Sequence, residues 1–440
     1  MAEITLKKIL QDNWQNFLKK KIKRIPKEIR SDVIETVEKA MGCGSLEKGY
    51  TEYMCLECME SKKVGFTCKS KFCSRCGRIY VSKWVEKQEA KILDITHRHS
   101  VFTIPEELRD YLYRNRELLT ELMDGVKEVI NYWYKKHLKK EYEVGIICVL
   151  HTFGRDLKWN PHVHALVTEG AIDKNNKWFK SVNYIPYEFL RKSWQKVVLD
   201  IFKRKFKDYK TRKLISILYR KYKKGFYVNA ERELKNAKEG AKYVGRYLGK
   251  PAIAEYRIME YDGETVTFWY MSHETKKKEI LTLPVLDFIG RVIQHIQKKG
   301  FRFVRRYGLY SRRSNKLAQV IVDLYKFMKQ MNIKDLLEKQ KRRTLRKKSW
   351  KQRIIECFNK NPIECKKCKM EMELYRIWHH KYGAIYDFLE EIKHSREEIN
   401  DNERLRERKT PRYGRGRGSV SLRDRNRRED LQISMFGVWI

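Results

Sequence analysis

Three groups of side chains have types and spacings suited to chemistry. The first is His162-Val163-His164, inside the run Trp159-Asn160-Pro161-His162-Val163-His164-Ala165-Leu166-Val167, which reads as a β-strand. Strand side chains alternate between faces, so His162 and His164 point the same way and make half of a divalent-metal site. A lone His-x-His on a half-buried strand is more often unrelated to metal, so the motif needs company. Residues 143–153 form another β-rich run, and Gly154–Lys158 is a turn, so the two runs predict a hairpin. A turn centred near 157–158 sets His151 opposite His164 as a candidate third ligand, whereas an off-by-one register turns it away. His97 and His99 repeat the His-x-His spacing and read as surface or structural residues, since no other ligand-type spacing supports them.

The second group is Tyr243 and Tyr247, four residues apart in a segment, 231–248, that reads as a helix ended by Gly249 and Pro251. That spacing puts both hydroxyls on one helix face. A bare Tyr-x-x-x-Tyr is usually a packed aromatic stripe. Here Lys242, Arg246 and Lys250 flank it, and their charges suit a phosphate backbone.

The third group is cysteine. Cys55/Cys58 and Cys73/Cys76 are two Cys-x-x-Cys pairs with fourteen residues between them. Each pair presents two thiolates to one ion, and two pairs complete a tetrahedral zinc site. Cys68, five residues before Cys73, is an alternative ligand, and Cys43 reads as a lone thiol. A closed four-thiolate site has no open position for chemistry, so its role is structural. Arg75, with Lys69 and Lys71 nearby, equips the knuckle to grip DNA. Cys365/Cys368, with Cys357, His379 and His380 nearby, are candidates for a second zinc.

Composition supplies the substrate class. Over 440 residues, 98 Lys and Arg against 56 Asp and Glu give a formal net charge of +42, spread along the whole chain. Such a field attracts a polyanion, with nucleic acid ahead of an anionic membrane surface. No 18-residue apolar run exists, so a membrane partner is not expected. The N-terminus lacks a signal-peptide core, which points to the cytoplasm. There the ten cysteines are reduced thiols free to bind metal. No P-loop, Gly-rich dinucleotide loop or His-Glu-x-x-His is present.

Histidines, paired tyrosines and a basic field together suit phosphodiester cleavage. An ion held by His162 and His164 polarises the phosphate, and a tyrosine attacks phosphorus as a covalent nucleophile. A phenol has a pKa near 10, so the ion and nearby cations must favour the phenolate. The product is a 5′-phosphotyrosine and a free 3′-hydroxyl, which can later reverse the attack without ATP.

At this point a resemblance becomes specific. The sequence resembles the HUH-type, paired-tyrosine transposases of rolling-circle insertion sequences, which carry an N-terminal zinc-binding domain. The matching stretches are the block Cys55–Cys76 on to Trp84, Val101-Phe102-Thr103-Ile104-Pro105, His151-Thr152-Phe153-Gly154-Arg155, Pro161-His162-Val163-His164, Lys242-Tyr243-Val244-Gly245-Arg246-Tyr247 and Arg306-Tyr307-Gly308-Leu309-Tyr310. They cover roughly residues 40–312 in order. The resemblance implies a single-strand DNA transposase with Mg²⁺ or Mn²⁺ at His162 and His164 and nucleophiles Tyr243 and Tyr247. Host replication proteins are possible partners. One departure is Asn160, where family members often have a further histidine; it raises interest in His151. A replication initiator or relaxase shares the same nicking chemistry. A zinc-finger nucleic-acid binder with core tyrosines is a non-catalytic alternative.

The expected fold is α+β: an antiparallel-sheet HUH endonuclease core with helices, plus a small N-terminal zinc-knuckle domain. The expected divisions are 1–94 (helical and zinc-binding), 95–312 (catalytic), 313–395 (basic helical) and 396–440 (a disordered basic tail).

Overall fold

The computed structural model describes residues 4–395, apart from 90, 139, 176, 183–184, 235–238, 241, 243–244, 246–251, 273–274 and 329–347. The expected disordered tail lies outside the described residues, as do Tyr243, Arg246, Tyr247 and Lys250.

The chain opens with helix α1 (Leu6–Lys20), capped by Thr5, whose hydroxyl accepts the Lys8 N–H at 3.2 Å. Ile9, Leu10, Trp14 and Phe17 recur at helical spacing and are buried. Helix α2 (Arg30–Met41) is followed by the hairpin β1 (Gly49–Met54) and β2 (Ser61–Gly65). Then come α3 (Ser74–Glu89), β3 (His97–Thr103), α4 (Glu106–Arg114) and α5 (Leu118–Leu138). The long hairpin is β4 (Tyr142–Phe153) and β5 (Trp159–Asp173), and β6 (Phe179–Ser181) pairs back on β5. Helices α6 (Tyr187–Lys205) and α7 (Tyr209–Lys221) lead to β7 (Val228–Leu234). A meander follows, β8 (Ile258–Tyr261), β9 (Thr265–Met271) and β10 (Lys278–Pro284), then α8 (Val285–Ile293), β11 (Val304–Tyr307) and α9 (Asn315–Met328). Then come α10 (Trp350–Phe358), β12 (Glu373–His379) and β13 (Gly383–Asp387), with helical backbone at 388–395.

The architecture is α+β with antiparallel sheets, as the sequence leads one to expect. The chain divides into two compact units, Met1–Gly42 with Cys68–Arg346, and Cys43–Thr67 with Lys347–Ile440. The first unit is built on a six-stranded sheet in the order β11-β4-β5-β3-β7, with β6 beside β5. Its strands alternate cleanly. Phe102, Leu150, Val163 and Ala165 face one way, into a core closed by Leu122, Val126 and Trp194 of α5 and α6. Each fully buried side chain of this size contributes about 1.5–3 kcal/mol. The opposite parity carries His99, His151, His162 and His164.

A second core in the same unit joins α1 and α2 to α8 and the β8–β10 meander through Trp14, Phe17, Val33, Phe268 and Phe288. Asp287 takes Lys21 and Arg24, each at 2.6 Å. The N-terminal helices therefore pack with residues 252–296. The second unit is a four-stranded sheet, β13-β12-β1-β2. Its central pair, β1 with β12, joins segments more than 300 residues apart, which no local pattern announces.

One expected element is corrected. Residues 231–234, read as the start of a helix, extend β7, which pairs with β3 from Phe102↔Val228 to His97↔Leu234. Val228, Ala230 and Leu234 are buried at strand spacing. The Glu, Arg and Lys around them favour helix, and sheet pairing overrides that preference. Helical backbone is present at residues 239–240, 242 and 245.

Candidate metal centre and cysteine clusters

The β4–β5 hairpin ends in a loop closed by Gly154 N–H donating to Lys158 O at 3.0 Å. At its tip Leu157 takes a left-handed φ of 68° and is fully buried, an arrangement that an L side chain adopts only when its surroundings impose it. Those surroundings are specific. Gln294 Nε2 and His295 Nε2 both donate to the Leu157 carbonyl, at 3.0 and 3.1 Å. That donation leaves His295 Nδ1 as the acceptor for the Thr152 hydroxyl, at 3.2 Å. Burial pushes His295 down to about 3, so it stays neutral while clamping the hairpin.

The clamp fixes the register. His151 pairs with His162 and Val149 with His164. The expected partner of His151 was His164; the pairing is displaced by two residues, and an even displacement preserves the face. An irregularity between His151 and Phe153 takes up the difference. His151, His162 and His164 each offer a ring nitrogen within 4.8 Å of the others. Ring centroids lie 5.4 Å apart for His151–His162, and 4.9 Å apart for both His151–His164 and His162–His164. His151 and His164 are buried and His162 is half-buried, so the group opens on one side.

Tautomers follow from the partners. His162 Nδ1 lies 2.7 Å from the Asn160 carbonyl oxygen, which can only accept. Nδ1 therefore carries the proton, and Nε2 keeps the lone pair that a metal needs. Asn160 thus serves the group through its backbone. His164 Nδ1 lies 3.0 Å from His99 Nε2, and the two rings stack at 5.2 Å. His97 and His99 are not surface residues: both are buried. His97 is hydrogen-bonded through Nε2 to the Tyr310 hydroxyl, and burial holds it down to about 4. No sequence signal identified them, because their role depends on β3 lying beside β5.

Three imidazole nitrogens with one open side fit a divalent ion that retains exchangeable positions for substrate oxygens. Among the described residues the donor set contains no carboxylate. Between Mg²⁺ and Mn²⁺ it favours Mn²⁺, the ion more tolerant of nitrogen.

The cysteines do not assemble as expected. Cys55 and Cys58 lie in the second unit and are grouped with Cys365 and Cys368, all four sulfurs within 4.8 Å. Cys73 and Cys76 lie in the first unit and are grouped with Cys68, whose sulfur is 3.6 Å from that of Cys76. The supposed alternative ligand is thus a member of a separate set. The reason is pairing: β1 hydrogen-bonds to β12, which brings the Cys55-x-x-Cys58 turn to the Cys365-x-x-Cys368 turn. The Cys365 sulfur, accepting the backbone N–H of Cys368, is held down to about 7. Cys357, His379 and His380 are in no such group among the described residues. Arg75 is exposed in the first turn of α3, and Lys242 is exposed on its helical residue.

Comparison with known proteins places this arrangement. Residues 145–317, which span both histidine strands from Gly145, match the family described as "Putative transposase". Residues 9–104 match the transposase zinc-binding domain. The transposase for insertion sequence element IS801 of Pseudomonas savastanoi pv. phaseolicola is 32% identical over 302 residues, 65% of this chain and 72% of that one. Putative transposase y4qJ of Sinorhizobium fredii (strain NBRC 101917 / NGR234) is 25% identical over 284 residues, 60% and 71% of the two chains. No solved structure is detectably similar. The chain belongs to the IS91/IS801 family of insertion-sequence transposases. Its partner is DNA, and its activity is the cutting of DNA that transposition requires. Zinc is a structural ion of the protein, from the zinc-binding match and the cysteine groups together. Among the described residues, no helix is long and apolar enough to cross a membrane.

Proposed function

We propose that this transposase nicks and rejoins single-stranded DNA at the ends of its element through a 5′-phosphotyrosine link, in rolling-circle transposition. The observation that carries the reading is the convergence of His151, His162 and His164, with the His162 tautomer set by the Asn160 carbonyl. These three residues would hold Mg²⁺ or Mn²⁺, which when bound supplies Lewis-acid polarisation of a phosphate oxygen. Tyr243 and Tyr247 are the nucleophiles on this reading; their assignment rests on the sequence.

Lys242, Arg246 and Lys250 neutralise the DNA backbone and favour a tyrosine phenolate. The phenolate oxygen attacks phosphorus, the bond from phosphorus to the 3′-oxygen breaks, and that oxygen leaves as a hydroxyl after taking a proton. One phosphodiester is exchanged for another, so the reverse attack rejoins a strand without an external energy source. Two tyrosines let one link form while the other is resolved. Strand replacement falls to host replication proteins, and the work takes place at the nucleoid.

The test uses purified protein and a 3′-end-labelled single strand from an element end. A denaturation-resistant adduct forms with Mn²⁺ and is lost in Tyr243→Phe/Tyr247→Phe and in His162→Ala/His164→Ala. An adduct surviving in the double tyrosine variant removes these nucleophiles. Wild type without any adduct in Mg²⁺ or Mn²⁺ overturns the enzyme reading.

A further inference from the structure

We propose that Cys55, Cys58, Cys365 and Cys368 bind one zinc ion, so that the zinc-binding part of the chain is completed by a pair of cysteines from its C-terminal region. The zinc-binding match ends at residue 104 and includes neither Cys365 nor Cys368. The inference is independent of the nuclease reading.

The sulfur geometry decides between thiol chemistries. Cys55 and Cys368 sulfurs are 3.4 Å apart, Cys58 and Cys365 3.6 Å, and Cys58 and Cys368 3.7 Å. A disulfide requires about 2.05 Å, so none of these is bonded. Four sulfurs each about 2.3 Å from one tetrahedral ion are separated by roughly 3.8 Å, close to what is seen.

The two turns also share one backbone design. In the first, Met59 N–H donates to Cys55 O and Cys55 N–H to Glu60 O, both at 2.9 Å. In the second, Lys369 N–H donates to Cys365 O at 3.2 Å and Cys365 N–H to Met370 O at 2.9 Å. The residue after the second cysteine is left-handed in each, with φ of 55° at Met59 and 65° at Lys369. Neither is glycine, so each turn holds a side chain in a backbone conformation that L residues rarely adopt. Two facing copies of one strained turn, each aiming both thiols at the same point, form a ligand cradle.

The unit needs such an anchor. Among the described residues its hydrophobic cluster of buried side chains is Tyr53, Cys55, Cys365 and Met372, and two of these four are the proposed ligands. A module with so small a core usually depends on a metal or disulfides. The exposed lysines Lys366, Lys367 and Lys369 offset the double negative charge of a zinc tetrathiolate.

The experiment takes the full-length protein through alkylation and peptide mass spectrometry while a chelator withdraws zinc. Cys55, Cys58, Cys365 and Cys368 are expected to be protected at first and to become labelled together, in one step. Cys148, buried in the other unit, stays unlabelled as a control. Cys365→Ser/Cys368→Ser is expected to lose one zinc per chain and to expose Cys55 and Cys58 without chelator. Cys55→Ser/Cys58→Ser loses the same ion, and the quadruple variant loses one, not two. Two ions lost from the quadruple variant, or full protection of Cys55 and Cys58 without Cys365 and Cys368, overturns the proposal. If the variants do not fold, the wild-type titration decides: release of the two pairs in separate steps overturns it equally.

Discussion

Replacing His99 is the sharpest probe of the histidine centre. Its Nε2 lies 3.0 Å from His164 Nδ1, and both residues are buried. If His164 ligates through Nε2, its Nδ1–H donates to His99, which fixes the ring in its metal-binding orientation. A buried hydrogen bond of this kind contributes about 1 kcal/mol net, and leaving the donor unsatisfied costs about 1–3 kcal/mol. At about 1.4 kcal/mol per decade, the half-saturating Mn²⁺ concentration should rise roughly 10–100-fold in His99→Leu. His99→Gln keeps an acceptor and should stay within about threefold of wild type on the same grounds. The assay is adduct formation on single-stranded DNA against Mn²⁺ concentration, with the rate at saturating metal read separately. That saturating rate should hardly change, because His99 acts through His164 and not on the DNA. An unchanged Mn²⁺ requirement in His99→Leu refutes the orienting role. A Gln variant as impaired as the Leu variant refutes the hydrogen-bond account and leaves packing.

Two further outcomes concern stability. Burial depresses His97 to about 4, against roughly 6.5 for a free imidazole, so the unfolded chain takes up its proton first as pH falls. The stabilisation is complete above about pH 6.5 and is lost progressively down to about pH 4, by at most about 3 kcal/mol from this residue. Urea midpoints measured across that range should fall with pH, and less steeply in His97→Gln; parallel slopes in the two proteins would count against the assignment. At Gly308, φ is 54° and an added Cβ would sit 1.8 Å from the Val144 carbonyl oxygen. Gly308→Ala should therefore cost at least about 2 kcal/mol, through left-handed strain and displacement of β4. Thermal unfolding checks it, and a midpoint equal to wild type contradicts the close approach.

Much of the histidine group was legible because it is short-range. His162 and His164 share a face by strand alternation alone, and β4 and β5 announced themselves as a hairpin, so His151 could be nominated. Its partner was set two residues off, since register depends on the clamp that Gln294 and His295 place on Leu157, more than 130 residues away in sequence. His99 was passed over for a related reason. Its value lies in being next to His164 across a strand pair, and the sequence does not state which strands are neighbours. The start of the 231–248 segment was misassigned because its charged residues prefer helix, while the pairing that makes it a strand comes from β3.

By itself, then, the sequence determined the α+β class, the basic field and which histidines and cysteines stand at short, regular spacings. Each of these is a property of single residues or of spacings within a few residues. Tertiary structure decided which ligands meet. Cys55 and Cys58 have Cys73 and Cys76 as their nearest Cys-x-x-Cys neighbours in sequence, yet they face Cys365 and Cys368. The pairing of β1 with β12 closes a loop of about 300 residues. The entropy of that closure grows only slowly with length, so separation along the chain is a weak guide to which cysteines share an ion.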